Sequence, residues 1–297
     1  MSDEELAKVT QEISSAGSAG LLIASRKLCR LIPFPSSDLS KYISVLQSRQ
    51  GPFEITSVLT IYEIEILLFY GTDHPNLEYI ESRLKTLVSL SGKTGVEDPY
   101  VRVKYLDLLT DYQYFYGSDR ELKSMDLVNK KLNSLTLVSD FNHPVVEDLQ
   151  LKILLLYLMS GADFRKKNVK QYLLEEDIFH KSYGEAIDQY KEAYIKQPLV
   201  SPGLFRAFVG SVSQIDGLFH FVCSKYSTRL LENFLDVNIS KLPHYFSSIR
   251  LDRIYELLLD GKREADIEDI IYRMIVANEL PTGTSIDQLE EIVSFGE

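Results

Sequence analysis

The side chains that could carry out chemistry in this sequence are scattered rather than clustered. Five histidines occur along the 297 residues, at positions His74, His143, His180, His220 and His244. No two of them stand three or four residues apart, the spacing that places two imidazoles on one helix face to bind a metal ion. Because nucleophiles with their bases and metal cages both require clustered groups, we predict no catalytic residue, no metal site and no enzyme activity.

The 15 glycines match neither the phosphate-binding loop nor the dinucleotide-binding fingerprint. The Gly-Lys-Thr-Gly stretch at 92–95 lacks the upstream glycine and the preceding strand of a phosphate loop, so we predict a turn between helices there. No cofactor is therefore expected. The two cysteines, Cys29 and Cys223, lie in apolar helical patterns and are predicted to be buried, reduced thiols.

Charged side chains occur in local groups that we expect to face solvent. Glu63 with Glu65 and Glu175 with Glu176 are neighbouring carboxylates of a kind common in acidic proteins. The basic clusters at 26–30 and 165–170 are also expected to be solvated, with docking of an acidic partner surface as the alternative.

The overall charge argues against two classes of partner. The chain has a formal net charge of −11 and a pI near 5.1, so nucleic acid and anionic membranes would repel it. The longest apolar run, 153–159, is far shorter than the roughly 20 residues of a membrane span, and residues 1–5 lack a signal-peptide pattern. We expect a cytoplasmic and nuclear protein.

Most of the chain shows helical periodicity. In the segment from Val101 to Tyr116, apolar residues recur every three or four positions, and Gly117 ends the pattern. The stretch 61–66 alternates apolar and acidic residues as a strand would, but the surrounding apolar span favours a helix. The predicted helices cover residues 3–14, 18–31, 37–49, 53–70, 76–90, 99–116, 119–138, 144–160, 165–179, 183–196, 202–216 and 218–241 with a possible break. We predict a mostly α protein built as an array of helix pairs.

Residues 245–297, which we call the C-terminal module, have a different pattern. Strands are predicted at 245–249, 285–288 and 292–295, with helices from 251 and 267 between the first two. This order of elements predicts a winged helix with a small antiparallel sheet. From residue 250 onward there are five basic and twelve acidic side chains, a formal net charge of −7. Because nucleic-acid binding requires cations, we expect the module to contact proteins instead.

The helical array followed by this module resembles the PCI-domain family, which occurs in the proteasome lid, the COP9 signalosome and initiation factor 3. The match rests on segments 246–254, 265–268, 274–275, 285–288 and 292–295. The Ile-Asp-Gln strand and the following Ile-Val-x-Phe strand look most like signalosome subunits.

Segment 190–195 is similar to the third signalosome subunit, whereas the final strands fit the fourth nearly as well. The resemblance implies a right-handed, tetratricopeptide-like (TPR-like) helical-repeat array at 1–182, the last repeats of a PCI domain at 183–244 and a winged helix at 245–297.

The resemblance also implies a function. The chain would be a non-catalytic scaffold subunit of a hetero-oligomer, with cullin deneddylation residing in a separate metalloprotease subunit. Its partners would be other PCI-domain subunits, with neither nucleic acid nor membrane bound. The alternatives are a subunit of the proteasome lid or of initiation factor 3, or a nucleic-acid-associated protein of messenger export. The residues expected to contact a partner are Tyr245, Phe246, Ser285, Ile286, Asp287, Gln288, Val293 and Phe295.

Overall fold

The structure is a computed structural model that describes residues 3–91, 98–117, 124–160, 166–196 and 198–296. Within these residues the chain is mostly helical, with a small three-stranded antiparallel sheet near its C-terminal end. The predicted mostly α class with a small antiparallel sheet is therefore confirmed. The turn predicted at 92–95, the beginning of the helix predicted from 119, and Arg165 of the second basic cluster lie outside the described residues.

The described elements follow one another in chain order. The first eight helices are α1 Asp3–Ser15, α2 Ser18–Leu31, α3 Ser40–Gln47, α4 Phe53–Phe69, α5 Leu77–Thr86, α6 Pro99–Tyr116, α7 Ser124–Leu135 and α8 Pro144–Leu158. The next five are α9 Lys166–Glu175, α10 Glu185–Ile195, α11 Pro202–Val212, α12 Gly217–Lys225 and α13 Ser227–Ile239. The C-terminal module contains β1 Ser248–Arg250, α14 Leu251–Leu259, α15 Ile267–Val276, β2 Ser285–Asp287 and β3 Ile292–Ser294. Short 3-10 helices occupy Val88–Ser91 and Leu242–His244.

Helix α6 shows why several predicted boundaries are correct. The Asp98 carboxylate accepts a hydrogen bond of 2.9 Å from the Tyr100 backbone amide and so caps the first turn. Pro99 fits the first helical position because that position needs no amide donor. The helix ends at Gly117, where a Cβ atom would collide with the carbonyl oxygen of Gln113. The predicted range 99–116 is therefore confirmed at both ends.

Helix α4 contains the stretch 61–66 whose alternation resembled a strand. Thirteen of its 17 residues are buried, on all sides of the helix, so the usual amphipathic period is absent from its sequence. The preference for a helix is confirmed. No described helix, α4 included, combines the length and apolarity needed to cross a membrane.

The chain forms two compact units, and the boundaries at residues 182 and 244 stay predictions. The first unit comprises Met1–Ile153 and Gln214–Phe221. In it, α4 packs against α2, α3, α5 and α6. The later segment belongs to this unit because the ring of Phe221 lies 5.5 Å from the rings of both Phe69 and Phe115. Helical periodicity carries no signal for contacts between residues so far apart in sequence.

The second unit comprises Leu154–Ser213 and Val222–Glu297. Helix α10 packs against α11. The ring of Tyr190 stacks on that of Phe208, with 3.9 Å between the ring centroids. Within the same unit, α13 contacts α15 and α11 contacts α14, so the C-terminal module packs on helices rather than standing alone.

The sheet of the C-terminal module has the strand order β1-β3-β2, and both pairs are antiparallel. Ile249 of β1 and Ile286 of β2 both lie opposite Val293 of the central strand. The observed strands are shorter than predicted. In particular, the Tyr245 amide donates to the Leu242 carbonyl at 2.9 Å, which continues a helical turn over the residues predicted to begin the first strand.

Candidate partner-binding surface

The residues predicted to contact a partner differ in how much surface they expose. Val293 lies in the central strand and its side chain is 0% exposed. A side chain without exposed surface cannot touch another protein, so we assign Val293 to the core of the module. Phe295 follows the same strand and is half-buried, and its amide donates to the Ser247 carbonyl at 2.8 Å.

Tyr245 and Phe246 precede β1 instead of lying in it. Tyr245 is 51% exposed and Phe246 is half-buried, with 6.5 Å between their ring centroids. Both therefore remain available for contact, but on a turn beside the sheet.

The backbone of β2 has an outward-facing edge. The Phe295 amide donates to Ser247 and the Leu251 amide donates to Glu291, so the odd-numbered residues of β3 face β1. Because hydrogen-bonding sides alternate along a strand, the even-numbered residues of β3 face β2. The amide and carbonyl of Ile286 must then point away from β3. Within the described residues, no strand pairs with this edge.

An open groove with a volume of about 1120 Å³ lies between α15 and β2. One wall is formed by α15 and its N-cap residue Asp266, and the other by residues 284–289. Four of the predicted partner-binding residues, those at 285–288, line this groove. The structure thus places them opposite the outward face of α15. We call this feature the acidic groove.

The acidic groove has a strongly one-sided charge. Among the described residues, no lysine, arginine or histidine contributes to its lining. Arg273 lies outside the lining, with 3.7 Å between its Nε atom and an oxygen of Asp269. The acidic lining residues are Asp266, Glu268, Asp269 and Asp287.

Local hydrogen bonds hold these carboxylates in place. Asp266 caps α15 by accepting the Asp269 amide at 3.0 Å. Asp287 accepts hydrogen bonds from the backbone amides of Leu289 and Glu290, at 3.0 and 3.1 Å. Glu268 accepts a hydrogen bond of 2.6 Å from the side-chain amide of Gln288, and this bond links the two walls of the groove. All these donors are neutral, so these hydrogen bonds place no positive charge beside the carboxylates.

Large apolar side chains stand beside these charges. Leu289 is 95% exposed and Tyr272 is 62% exposed, and both line the groove with Ile275. The sequence reasoning missed Leu289 and Tyr272 as candidate contact residues. The sequence contained a signal for both residues. Tyr272 does not belong to the set of apolar positions that form the buried face of α15, and Leu289 is a large apolar residue within a polar turn.

The expectation that Glu63 and Glu65 lie on a solvated face is wrong. Both carboxylates project from α4 and are buried. Glu63 accepts hydrogen bonds from the Tyr79 hydroxyl at 2.6 Å and from Arg83 at 2.9 Å, and Glu65 pairs with Lys104. A charge that is this deeply buried requires a hydrogen-bonding or oppositely charged partner. Here the partners lie in other helices, and the local sequence pattern around Glu63 and Glu65 does not show which helices those are.

Glu65 and Lys104 belong to a larger set of buried, oppositely charged side chains in the first unit. Lys131 pairs with Asp107 and lies 2.6 Å from Asp111, and Lys152 lies 2.7 and 3.3 Å from the same two carboxylates. The members of this buried charge network are Glu65, Lys104, Asp107, Asp111, Lys131 and Lys152.

The two aspartates of the network respond differently to their surroundings. Burial acts to raise the pKa of Asp107, but Lys131 and Lys152 outweigh it and hold this pKa below its usual value. For Asp111, burial outweighs the attraction of the same lysines, and the pKa is raised. The same two lysines therefore hold the pKa of Asp107 down but do not offset the burial of Asp111.

A small cavity beside the network has a volume of about 30 Å³ and is lined in part by Cys29, Glu65, Lys104 and Asp216. That volume admits water but no organic substrate. The buried charges join α4, α6, α7 and α8 within the first unit.

Both cysteines are free and buried, as predicted. Burial raises the pKa of the Cys29 thiol well above its ordinary value and that of Cys223 to about 11. Protonated thiols are poor nucleophiles. Within the described ranges, no three histidine, cysteine or acidic side chains approach closely enough to hold a metal ion.

No protein-family model matches the sequence, and no curated protein sequence is significantly similar to it.

Proposed function

We propose that this chain is a non-catalytic scaffold subunit that contacts other protein chains through its C-terminal module. The observation that carries this proposal is the acidic groove. With α15 taken as the recognition helix and β2–β3 as the wing, this groove corresponds to the place where a winged helix that reads nucleic acid presents cations, and it carries carboxylates instead.

The order of elements supports a winged helix. Two helices, α14 and α15, stand between β1 and β2, and β3 then returns to the centre of the sheet. With α15 as the recognition helix, its outward face presents Asp269 and Tyr272. A phosphate backbone would be repelled by this face, whereas a protein partner could bury the tyrosine ring.

We assign the module to the PCI type and the chain to a signalosome-like complex, on the segments at 246–254, 285–288 and 292–295. In this role the helices before the module form a TPR-like array, and sister PCI subunits are the partners. A proteasome-lid or initiation-factor subunit is the alternative within the same family. Co-purification with proteolytic particles or with ribosomes would distinguish these alternatives from a signalosome.

Backbone pairing at the sheet edges is the proposed mode of assembly. The amide and carbonyl of Ser248 point outward from β1, by the same alternation that turns those of Ile286 outward from β2. Edge strands with unpaired backbone groups are templates for a strand of another chain. Each edge is short, so side-chain contacts beside it must supply part of the affinity.

The test is pairwise co-expression of the full chain with PCI-type subunits from the same genome, followed by size-exclusion chromatography with light scattering. We expect a stable one-to-one complex with at least one of them. The absence of a complex with every such subunit would refute the assembly proposal.

Edge pairing is tested within such a complex by Ser248→Pro and Ile286→Pro, each of which removes one outward amide. We expect one of them to weaken the complex about tenfold or more. Ile286→Val keeps the amide and serves as the matched control. If both proline variants fold and assemble like the wild type, the sheet edges are not the interface.

Nucleic-acid binding, as in messenger export, is tested by a gel-shift titration of the full chain at low salt, where charge-driven binding is strongest. We expect no shift. A salt-sensitive shift would replace the protein-contact proposal.

A further inference from the structure

We propose that the acidic groove binds an extended segment of a partner protein in which lysine or arginine residues flank an apolar side chain. This inference rests on the proposed function, since both require the C-terminal module to contact protein, and it specifies one surface and one partner chemistry.

The shape of the groove suits a chain segment. Its volume of about 1120 Å³ is at or above the upper end of the range for small-molecule pockets, roughly 300–1,000 Å³. It is also open to solvent along one side, whereas small-molecule sites enclose most of their ligand. A segment of several residues can lie along α15 and β2 without entering a closed cavity.

The charge of the groove selects a cationic segment. Asp269 lies in the lining, and its nearest basic group, on Arg273, is too far away for a hydrogen bond. Within the described part of the chain, the donors to Glu268 and Asp287 are neutral amides. Lysine or arginine side chains of a partner would supply the missing positive charge, whereas an acidic peptide or a nucleic acid would add repulsion.

The exposed apolar side chains require an apolar contact within that segment. Leu289 and Tyr272 expose most of their surface and, with Ile275, line the same groove. A single exposed leucine is ordinary, but here it lies beside an exposed aromatic ring in a concave surface. An apolar side chain of the partner would cover both and exclude water from the flanking ion pairs.

The β2 edge favours an extended conformation. The amide and carbonyl of Ile286 point away from β3 at the strand that forms one wall of the groove. An extended segment can bond to this pair of groups while its side chains alternate between the groove and solvent.

The experiment measures binding of a fluorescein-labelled Lys-Leu-Lys-Leu-Lys-Leu peptide to the full chain by fluorescence anisotropy. The peptide with glutamate in place of each lysine is the charge control. We expect binding of the basic peptide only, weakening as salt rises from about 50 mM to about 300 mM. Failure of the basic peptide to bind would overturn the inference.

Two variants identify the groove as the binding surface. Asp269→Lys reverses an exposed charge in the lining and should weaken binding about tenfold. Leu289→Ser removes the exposed apolar contact and should weaken it about fivefold. Glu256→Lys, on the exposed surface of α14 and outside the lining, makes the same change in net charge and should leave affinity within about twofold. Equal losses in all three variants would mean that the peptide responds to overall charge, and the inference would be wrong.

The remaining outcomes separate this inference from the proposed function. If the peptide binds through the groove but no PCI-type subunit assembles with the chain, the proposed function fails and the groove remains. If a subunit assembles but the peptide does not bind, the groove inference fails alone. If light scattering shows a dimer of this chain that Asp269→Lys disrupts, the occupant is a second copy and the inference is overturned.

Discussion

The buried charge network of the first unit and the acidic groove of the C-terminal module both bring several carboxylates together, but they treat the charges in opposite ways. In the network, Asp107 and Asp111 are buried and contact Lys131 and Lys152. In the groove, the four carboxylates are exposed or half-buried; three of them accept hydrogen bonds from neutral donors, and the fourth, Asp269, lies 3.7 Å from Arg273.

This difference separates two roles of charge. A buried carboxylate that loses its lysine is left with a desolvated charge, so the network makes folding depend on every member. An exposed carboxylate without a cation has no such cost, so it is free to attract one from another molecule. Four experiments, in order of decreasing expected effect, test whether the two regions differ in this way.

Lys131→Met should have the largest effect. The side chain of Lys131 is 0% exposed and contacts Asp107 and Asp111. Its removal leaves the network with three buried carboxylates but two lysines, an excess of one buried negative charge. We expect the free energy of unfolding to fall by about 3–5 kcal/mol, measured by urea denaturation. Lys130→Met, at the exposed neighbouring position, should change it by less than about 0.5 kcal/mol. Equal effects at the two positions would show that the network does not hold the unit together.

Ile286→Asp should have the next largest effect. Ile286 is half-buried and lies opposite the fully buried Val293, so the new carboxylate would face an apolar surface. We expect a loss of about 2 kcal/mol, seen as a lower thermal midpoint. Ser285→Asp places the same charge at an exposed position of the same strand and should be nearly neutral. Unchanged unfolding of Ile286→Asp would mean that this face of β2 does not point inward.

Asp216→Asn should have a smaller effect that depends on pH. Burial raises the pKa of Asp216 to about 6, against the attraction of Lys152. A raised carboxyl pKa favours the protonated form in the folded state, so stability falls as pH rises from about 4 to about 6. Asparagine cannot ionise, but its side-chain oxygen can still accept the hydrogen bond that the Phe219 backbone amide donates to Asp216.

The Asp216→Asn variant should therefore be more stable than the wild type by about 1 kcal/mol at pH values near 8 and lose this advantage near pH 4. Urea midpoints at the two pH values provide the measurement. A gain that is equal at both would show that ionisation of Asp216 is not its cause.

Asp269→Lys should have the smallest effect on stability. Its carboxylate is exposed, and its contact with Arg273 is a long surface pair, so we expect a change below about 0.5 kcal/mol. The measurement is again urea denaturation, compared with Glu256→Lys. A loss as large as that of Lys131→Met would mean that the groove carboxylates, like the network, serve the fold.

Much of the fold could be predicted from local sequence. Helix α6 begins at an aspartate and a proline and ends at a glycine, and each of these signals acts through backbone geometry within one turn. The helices and strands of the C-terminal module were found in the right order, because apolar periodicity reports which face of an element is inward. The first strand was placed too early because Tyr245 and Phe246 favour strands in general, whereas here the preceding 3-10 helix continues through Tyr245.

The candidate site was predicted in part, since residues 285–288 line the groove but Leu289 and Tyr272 were not named. Local pattern was sufficient for helix boundaries, net charge and the acidic character of α15, because these depend on residues close together in the chain. It could not show that Glu65 meets Lys104, that Val293 is covered on both sides or that 214–221 joins the first unit. Those facts depend on contacts between distant residues, and only packing in three dimensions establishes which charges are buried in pairs and which remain exposed in the groove.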